Sequence, residues 1–146
     1  MSLWLDTSVL VSLYVPEARS ARVARLVQRV GEPVPFSQLH ELELANALRL
    51  LRFRREAKPK AVDATLARIA EDLHEGVLLR SAIEWPATFT KALELSSRYS
   101  QRVGSRSLDL LHVAAAVLAH SDRFVTADQR QGAIARRVGL RTTRLA

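Results

Sequence analysis

The chain has 146 residues, 48% hydrophobic and 25% charged, with a formal net charge of +7 and no cysteine. That length supports one domain with its own core, and the composition excludes a disordered segment. The missing cysteine removes disulfides, thiol nucleophiles and thiolate zinc sites and suits a reducing cytoplasm, no stretch has the length of a membrane span, and the N-terminus is not expected to act as a secretory signal.

Strand and helix signals alternate along the chain. Residues 3–5 form a short apolar run, followed at once by helical spacing over 9–15 that stops at Pro16. Residues 18–30 repeat Val23, Leu26, Val27 and Val30 at helical spacing and end at Gly31, and 34–36 reads as a second strand. A long helix is expected from Ser37 to about Arg55, with Leu39, Leu42, Leu50, Leu51 and Phe53 as its apolar positions and a break at Lys58-Pro59-Lys60. A further helix is expected over 61–73, a turn at Gly76 and a strand over 77–79. Pro86 suits the first turn of a helix reaching about Arg102. Ser107 is placed to cap an alanine-rich helix over 108–120, and 123–126 reads as a strand. Thr126-Ala-Asp-Gln129 has capping-box spacing before a helix over 129–138, and 141–145 suits a last edge strand. Strands separated by helices predict βαβ crossovers and a parallel sheet covered on both faces, in one α/β domain.

Four acids adjoin apolar sequence: Asp6, Glu43, Asp109 and Asp128. A buried, unpaired carboxylate is strongly unfavourable or takes up a proton, so four of them on a basic chain point to a cation as their partner. Ligands of open parallel sheets gather at the carboxyl ends of the strands. Asp6 follows the first strand and Asp128 follows 123–126, which puts both at that edge. Asp109 falls in a first helical turn, where the helix dipole favours an anion. Glu43 must be delivered by the long helix, in competition with Glu41 on another face of it. Asp122 precedes its strand and is expected at the opposite edge, in solvent. The ordinary alternatives are helix capping by Asp6 and Asp128 and a dipole-favoured acid at Asp109.

Oxygen ligands without cysteine or paired histidines suit Mg²⁺ or Mn²⁺ rather than zinc. Carboxylates around such cations commonly serve to cleave phosphodiesters, the metal activating water and neutralising phosphate charge. Ser8 and Thr126 can hydrogen-bond the carboxylates or metal-bound water, or simply cap helices. His112 lies one helical turn from Asp109 and reads as a structural histidine, His40 and His74 as surface residues, and Trp4 and Trp85 as core or interface. Basic residues, almost all arginine, cluster at Arg49 to Lys60, at Arg98 to Arg106 and at Arg130 to Arg144. Joined to the acids, these clusters favour a polyanion as partner. The apolar faces of 18–30 and 39–53 are expected to pack in the core, with partner docking as the alternative.

Four segments together resemble a known family. Leu5-Asp-Thr-Ser-Val-Leu10 resembles the opening of PIN-domain nucleases, and Glu43-Leu-Ala-Asn-Ala-Leu48 their glutamate-bearing helix. Ser107-Leu-Asp-Leu-Leu-His-Val-Ala-Ala-Ala116 resembles the third acidic motif, and Phe124-Val-Thr-Ala-Asp128 with the following Ala135–Leu140 segment the fourth. Order, spacing and length are similar to the VapC toxins of type II toxin–antitoxin modules. The resemblance implies a single PIN domain over 1–146, a three-layer fold whose central parallel sheet of four to five short strands is flanked by helices. It implies a Mg²⁺-dependent endoribonuclease (Mn²⁺ as the alternative) with Asp6, Glu43, Asp109 and Asp128 as catalytic and metal-binding acids, Glu43 being chosen over Glu41. It further implies structured RNA such as transfer or ribosomal RNA as substrate, cut to a 3′-hydroxyl and a 5′-phosphate. A VapB-type antitoxin that places a basic side chain in the acidic pocket and a homodimer complete the implied partners. Arg106, Arg49 and Arg52 are the candidate RNA contacts. The competing readings are a PIN nuclease of RNA processing and a catalytically silent RNA-binding PIN module. A haloacid dehalogenase-type phosphotransferase fails because position 8 is Ser rather than Asp, and a receiver domain lacks its early acidic pair.

Overall fold

A computed structural model describes residues 1–146. Five short strands, β1 (Leu3–Leu5), β2 (Val34–Phe36), β3 (Leu78–Arg80), β4 (Arg123–Thr126) and β5 (Arg141–Arg144), all pair in parallel. The helices are α1 (Thr7–Tyr14), α2 (Ser20–Val30), α3 (Gln38–Phe53), α4 (Pro59–Glu75), α5 (Trp85–Leu95), α6 (Gln101–Val103), α7 (Ser107–Leu118) and α8 (Gln129–Arg137), with a π-helical turn at Ser96–Ser100 joining α5 to α6.

Alternation along the strands makes three layers. Leu3 and Leu5 of β1 and Val125 of β4 pack with residues of α1 to α4, while Trp4 and Phe124 point the other way, into a core shared with α5, α7 and α8. The alanines of α7, Ala114 to Ala116, are fully buried in that second core. Both faces of the sheet are therefore covered, as parallel sheets require. This is the three-layer α/β architecture expected from the sequence.

The sheet is interrupted where one continuous layer was expected. Hydrogen bonding joins β1, β4 and β5 in one three-stranded sheet, in the order β1-β4-β5, and β2 with β3 in a second. The cause is visible in β2. The Val34 N–H and the Phe36 carbonyl are bonded on the β3 side, so residue 35 turns its backbone toward β1, and it is a proline with no N–H to donate. The Leu5 carbonyl of β1 takes its hydrogen bond from His40 Nε2 instead, at 2.8 Å. His40 is thus fully buried rather than a surface residue. Its other nitrogen, Nδ1, accepts the Ser37 N–H at 3.1 Å, while Ser37 Oγ accepts the His40 N–H. That is a capping box in which histidine occupies the place usually held by Glu or Gln. Burial pushes the His40 pKa down to about 3, so a neutral ring closes the gap between the two sheets.

Several local expectations shift. Pro59 is the first residue of α4 and starts it rather than only breaking α3. Ser107 is the first helical residue of α7, whose N-cap Arg106 makes no side-chain cap. On α3, Leu39, Leu44 and Leu48 are the buried apolar positions, and Leu42, Leu50 and Phe53 are exposed. Trp4 lies in the core, but Trp85 is only half-buried and donates to Gln38 Oε1 at 3.1 Å. No helix is long and apolar enough to cross a membrane.

Candidate active site

β1 and β4 are neighbours in register, Leu5 opposite Val125, so the residues that follow them emerge side by side. Asp6 continues the ladder with its N–H on the Val125 carbonyl at 2.9 Å. Asp128 leaves β4 two residues after Thr126 and becomes the N-cap of α8, and Asp109 stands in the first turn of α7. Glu43 comes from the second turn of α3. All four line one cavity of about 320 Å³, together with Thr7, Ser8, Arg19, Arg106 and Ala127. Asp6, Asp109 and Asp128 each sit at the N-terminal end of a helix (α1, α7 and α8), where the dipole favours negative charge.

Three of the four carboxylates are tied to the protein through one oxygen. Glu43 Oε1 accepts from Thr7 Oγ1 at 2.9 Å and contacts His112 Nε2 at 2.5 Å. Asp109 Oδ2 meets Arg106 Nε at 3.3 Å. Asp128 Oδ1 accepts the Gln131 N–H at 2.8 Å. The second oxygens of these three acids have no protein hydrogen bond, which leaves one oxygen of each for a ligand. Asp6 is held at both ends, by Ser8 Oγ at 2.6 Å on Oδ2 and by Gln131 Nε2 at 3.3 Å on Oδ1. Although Asp6 occupies the N-cap position of α1, its side chain caps nothing, so capping does not account for its burial. Asp128 does cap α8, and it lines the cavity as well. No three of these groups are drawn into a ready-made metal-ligand cluster; the like charges stand apart around the cavity. Their chemistry, carboxylate oxygens with free lone pairs, fits a hard divalent cation better than a soft one.

Behind Glu43 runs a buried chain of donors. Trp4 Nε1, which can only donate, points at His112 Nδ1 at 3.2 Å. Nδ1 is therefore an acceptor, and Nε2 carries the proton that His112 offers to Glu43, with Thr7 Oγ1 also within 3.1 Å. Burial pushes the Glu43 carboxyl up, but the hydrogen bond and electrostatic attraction from His112 and the Thr7 bond together outweigh it, and its pKa falls below the usual value. Asp109 goes the other way. Burial raises it, Arg106 opposes, and the charges of Asp6 and Asp128 add to the rise.

The sequence-derived residues separate on this geometry. Ser8 reaches Asp6 directly. Thr126 touches no carboxylate; its hydroxyl donates to Gln131 Oε1 at 2.6 Å and accepts the Asp128 N–H at 3.0 Å. It thereby turns the Gln131 amide nitrogen toward Asp6 and toward the Asp109 carbonyl at 3.3 Å. Arg106 lines the cavity, whereas Arg49 and Arg52 are exposed on later turns of α3 and do not. Glu41 faces away and pairs with Arg80 at 2.5 Å. Asp122 binds the Ser2 N–H at 2.7 Å at the opposite edge, in solvent as expected. Thr7, Gln131 and Arg19 were missed by sequence reasoning. Gln131 had a signal: it stands three residues after Asp128, which is the capping-box register that α8 actually uses, displaced by two residues from Thr126.

The fold and site define an α/β domain that carries a cluster of acids on the carboxyl edge of a parallel sheet. The family model for the PIN domain matches residues 3–137, and the chain belongs to that family. A crystal structure of FitAcB from Neisseria gonorrhoeae shares its fold, with a TM-score of 0.65 and 20% identity over 97% of this chain and 96% of that one. Curated proteins give no sequence match.

Proposed function

We propose that this PIN domain is a Mg²⁺-dependent endoribonuclease (Mn²⁺ as the alternative cation) and the toxin component of a VapC-type toxin–antitoxin module. The observation that carries the reading is the convergence of Asp6, Glu43, Asp109 and Asp128, from four separate elements, on one cavity in a chain of net charge +7. When bound, the cation supplies an activated water and neutralises charge on the phosphate. Asp6, Glu43, Asp109 and Asp128 are the residues that would hold it. Ser8, Thr7, His112 and Gln131 fix where the acids point, and Thr126 fixes Gln131. Arg106 offers a guanidinium at the mouth. The substrate in this reading is structured RNA such as transfer or ribosomal RNA.

A toxin needs a partner that covers it. Phe53, Leu93 and Leu42 are large apolar residues exposed by 83%, 71% and 69%. In this reading the partners are a VapB-type antitoxin and a second copy of the chain, in the cytoplasm, and such exposed side chains are available to them.

The test is incubation of purified protein with total transfer RNA, with Mg²⁺ and with chelator. Cleavage is expected only with the metal, and none in Asp6→Asn. Cutting that survives chelation, or an active Asp6→Asn, defeats the four-acid mechanism. Growth arrest on expression, relieved by a small co-expressed partner, separates the toxin from an RNA-processing nuclease. Metal-dependent RNA binding without cutting identifies a silent module.

A further inference from the structure

The cavity wall carries a cation that none of the four acids engages. Arg19 ends the turn between α1 and α2, at the N-cap position of α2, and its side chain lines the cavity beside Asp6 and Glu43. The turn is firmly built. The Ser20 hydroxyl accepts the Glu17 N–H at 2.9 Å and donates to the Val15 carbonyl at 3.2 Å. Ser12, buried on α1, donates its hydroxyl to Glu17 Oε1. The same oxygen meets Arg19 Nε at 3.0 Å. The guanidinium is thus anchored at Nε, and its terminal fork is left over. Nη1 is closed off from solvent and has no hydrogen-bond partner. Nη2 has no protein hydrogen bond either and, unlike Nη1, is not closed off from solvent, so it is the nitrogen that a ligand can reach. Arg106, by contrast, already pairs with Asp109.

An arginine held by its Nε, with Nη2 left without a partner on the wall of an acidic cavity, matches a charge-assisted contact to one phosphate oxygen, because the site acids themselves are not its partners. We propose that Arg19 binds a non-bridging phosphate oxygen of a nucleic-acid strand seated over the four acids, with Glu17 and Ser12 as the residues that position it. The proposal takes its substrate from the nuclease reading and adds the side chain that holds the phosphate.

Fluorescence anisotropy with labelled transfer RNA tests it, in an Asp6→Asn background that leaves the RNA uncut, over a series of salt concentrations. Arg19→Ala is expected to bind about tenfold more weakly, the loss of one charge-assisted contact. Its salt dependence should become shallower by about one phosphate contact. Arg19→Lys should fall between, keeping the charge and losing the Nε anchor to Glu17. A thermal melt confirms that both variants fold. If Arg19 serves only to hold Glu17, both variants melt lower and the salt slope stays put, which overturns the proposal. A parallel Mg²⁺ cleavage assay with Asp6 intact separates the two readings. Binding that depends on Arg19 without any cleavage keeps the phosphate site and removes the nuclease. Cleavage and binding unchanged in Arg19→Ala remove the phosphate site and keep the nuclease. Absence of RNA binding by the parent removes both.

Discussion

Glu43 and Asp109 line the same cavity, both are partly buried, and their carboxyls move in opposite directions. Glu43 belongs to the inner wall, where Thr7 and His112 are packed out of solvent and deliver donors to it, with buried Trp4 donating in turn to His112. Asp109 belongs to the outer wall, where its one side-chain partner is Arg106, a residue 83% exposed. Burial pushes both carboxyls up. On the inner wall, hydrogen bonds and electrostatic attraction from buried donors reverse that push. On the outer wall, an exposed arginine does not overcome burial and the neighbouring charges of Asp6 and Asp128. Burial alone therefore does not set the state of a site acid; the number of donors and their shielding from water do. The inner wall keeps its charge by itself, and the outer wall gains most from an arriving cation.

The largest effect is expected at Asp6, which touches both walls. Asp6→Asn keeps the shape and removes the charge. RNA cleavage in Mg²⁺ should fall by more than the roughly 100-fold that loss of an outer partner costs. The same change should lower the titration point of Asp109, read by carboxyl NMR shifts, because Asp6 is one of the charges that raise it. An Asp109 that titrates unchanged would show the two walls to be electrostatically separate.

His112→Ala comes next and attacks the inner wall alone. It takes away the donor to Glu43 and leaves the Trp4 N–H buried without an acceptor. Urea unfolding should report a loss of roughly 2 kcal/mol or more, the unpaired group and the cavity adding together. Cleavage should drop by roughly 10- to 100-fold. A stable variant with an unchanged Glu43 titration would mean that Thr7 alone holds the acid.

Much of this contrast was legible before the structure. Asp6, Asp109, Asp128 and Glu43 could be found because acids beside apolar runs break the binary pattern, and because strand ends and helix starts have sequence signals. Asp122 could be set aside because it precedes its strand. That parallel strands alternate with covering helices followed from alternating periodicity. What stayed hidden are contacts between residues far apart in the chain. Trp4 and His112 are 108 residues apart, and Gln131 and Asp6 are 125 apart. No local pattern encodes such pairs. His40 was misread because a histidine at the third position of a capping box looks like any polar helix residue. The break in the sheet was written in Pro35, but its meaning depends on which way that residue faces, and only the pairing of β2 with β3 decides that.

pH sharpens the comparison. Glu43 has a lowered folded pKa, so its contribution to stability is full above the ordinary value of 4.5 and is lost as pH falls through the folded value. Asp109 has a raised folded pKa, so its ionisation costs stability at pH above the raised value, and the cost vanishes below the ordinary 3.8. At neutral pH, Glu43→Gln should therefore be less stable than the parent, by about 1 kcal/mol for weakened charge-assisted bonds. Asp109→Asn should melt higher than the parent. Both differences should shrink on acidification. Millimolar Mg²⁺ should erase the advantage of Asp109→Asn, since a bound cation relieves the repulsion from Asp6 and Asp128. Two variants that shift the melt in the same direction would contradict the opposed walls.

Arg106→Ala is expected to have the smallest effect, and its smallness is what the contrast requires. The pair with Asp109 is open to water on the arginine side, so removing it should cost no more than about 1 kcal/mol. Asp109 should rise further once the attraction is gone, because Arg106 is the largest influence that lowers it. The stability change should fade in high salt, where exposed pairs are screened, whereas the His112→Ala loss should persist. A loss in Arg106→Ala that matched His112→Ala and resisted salt would mean that the outer wall is held by a structural ion pair. Asp109 would then be an architectural acid, with no free carboxylate kept for a cation.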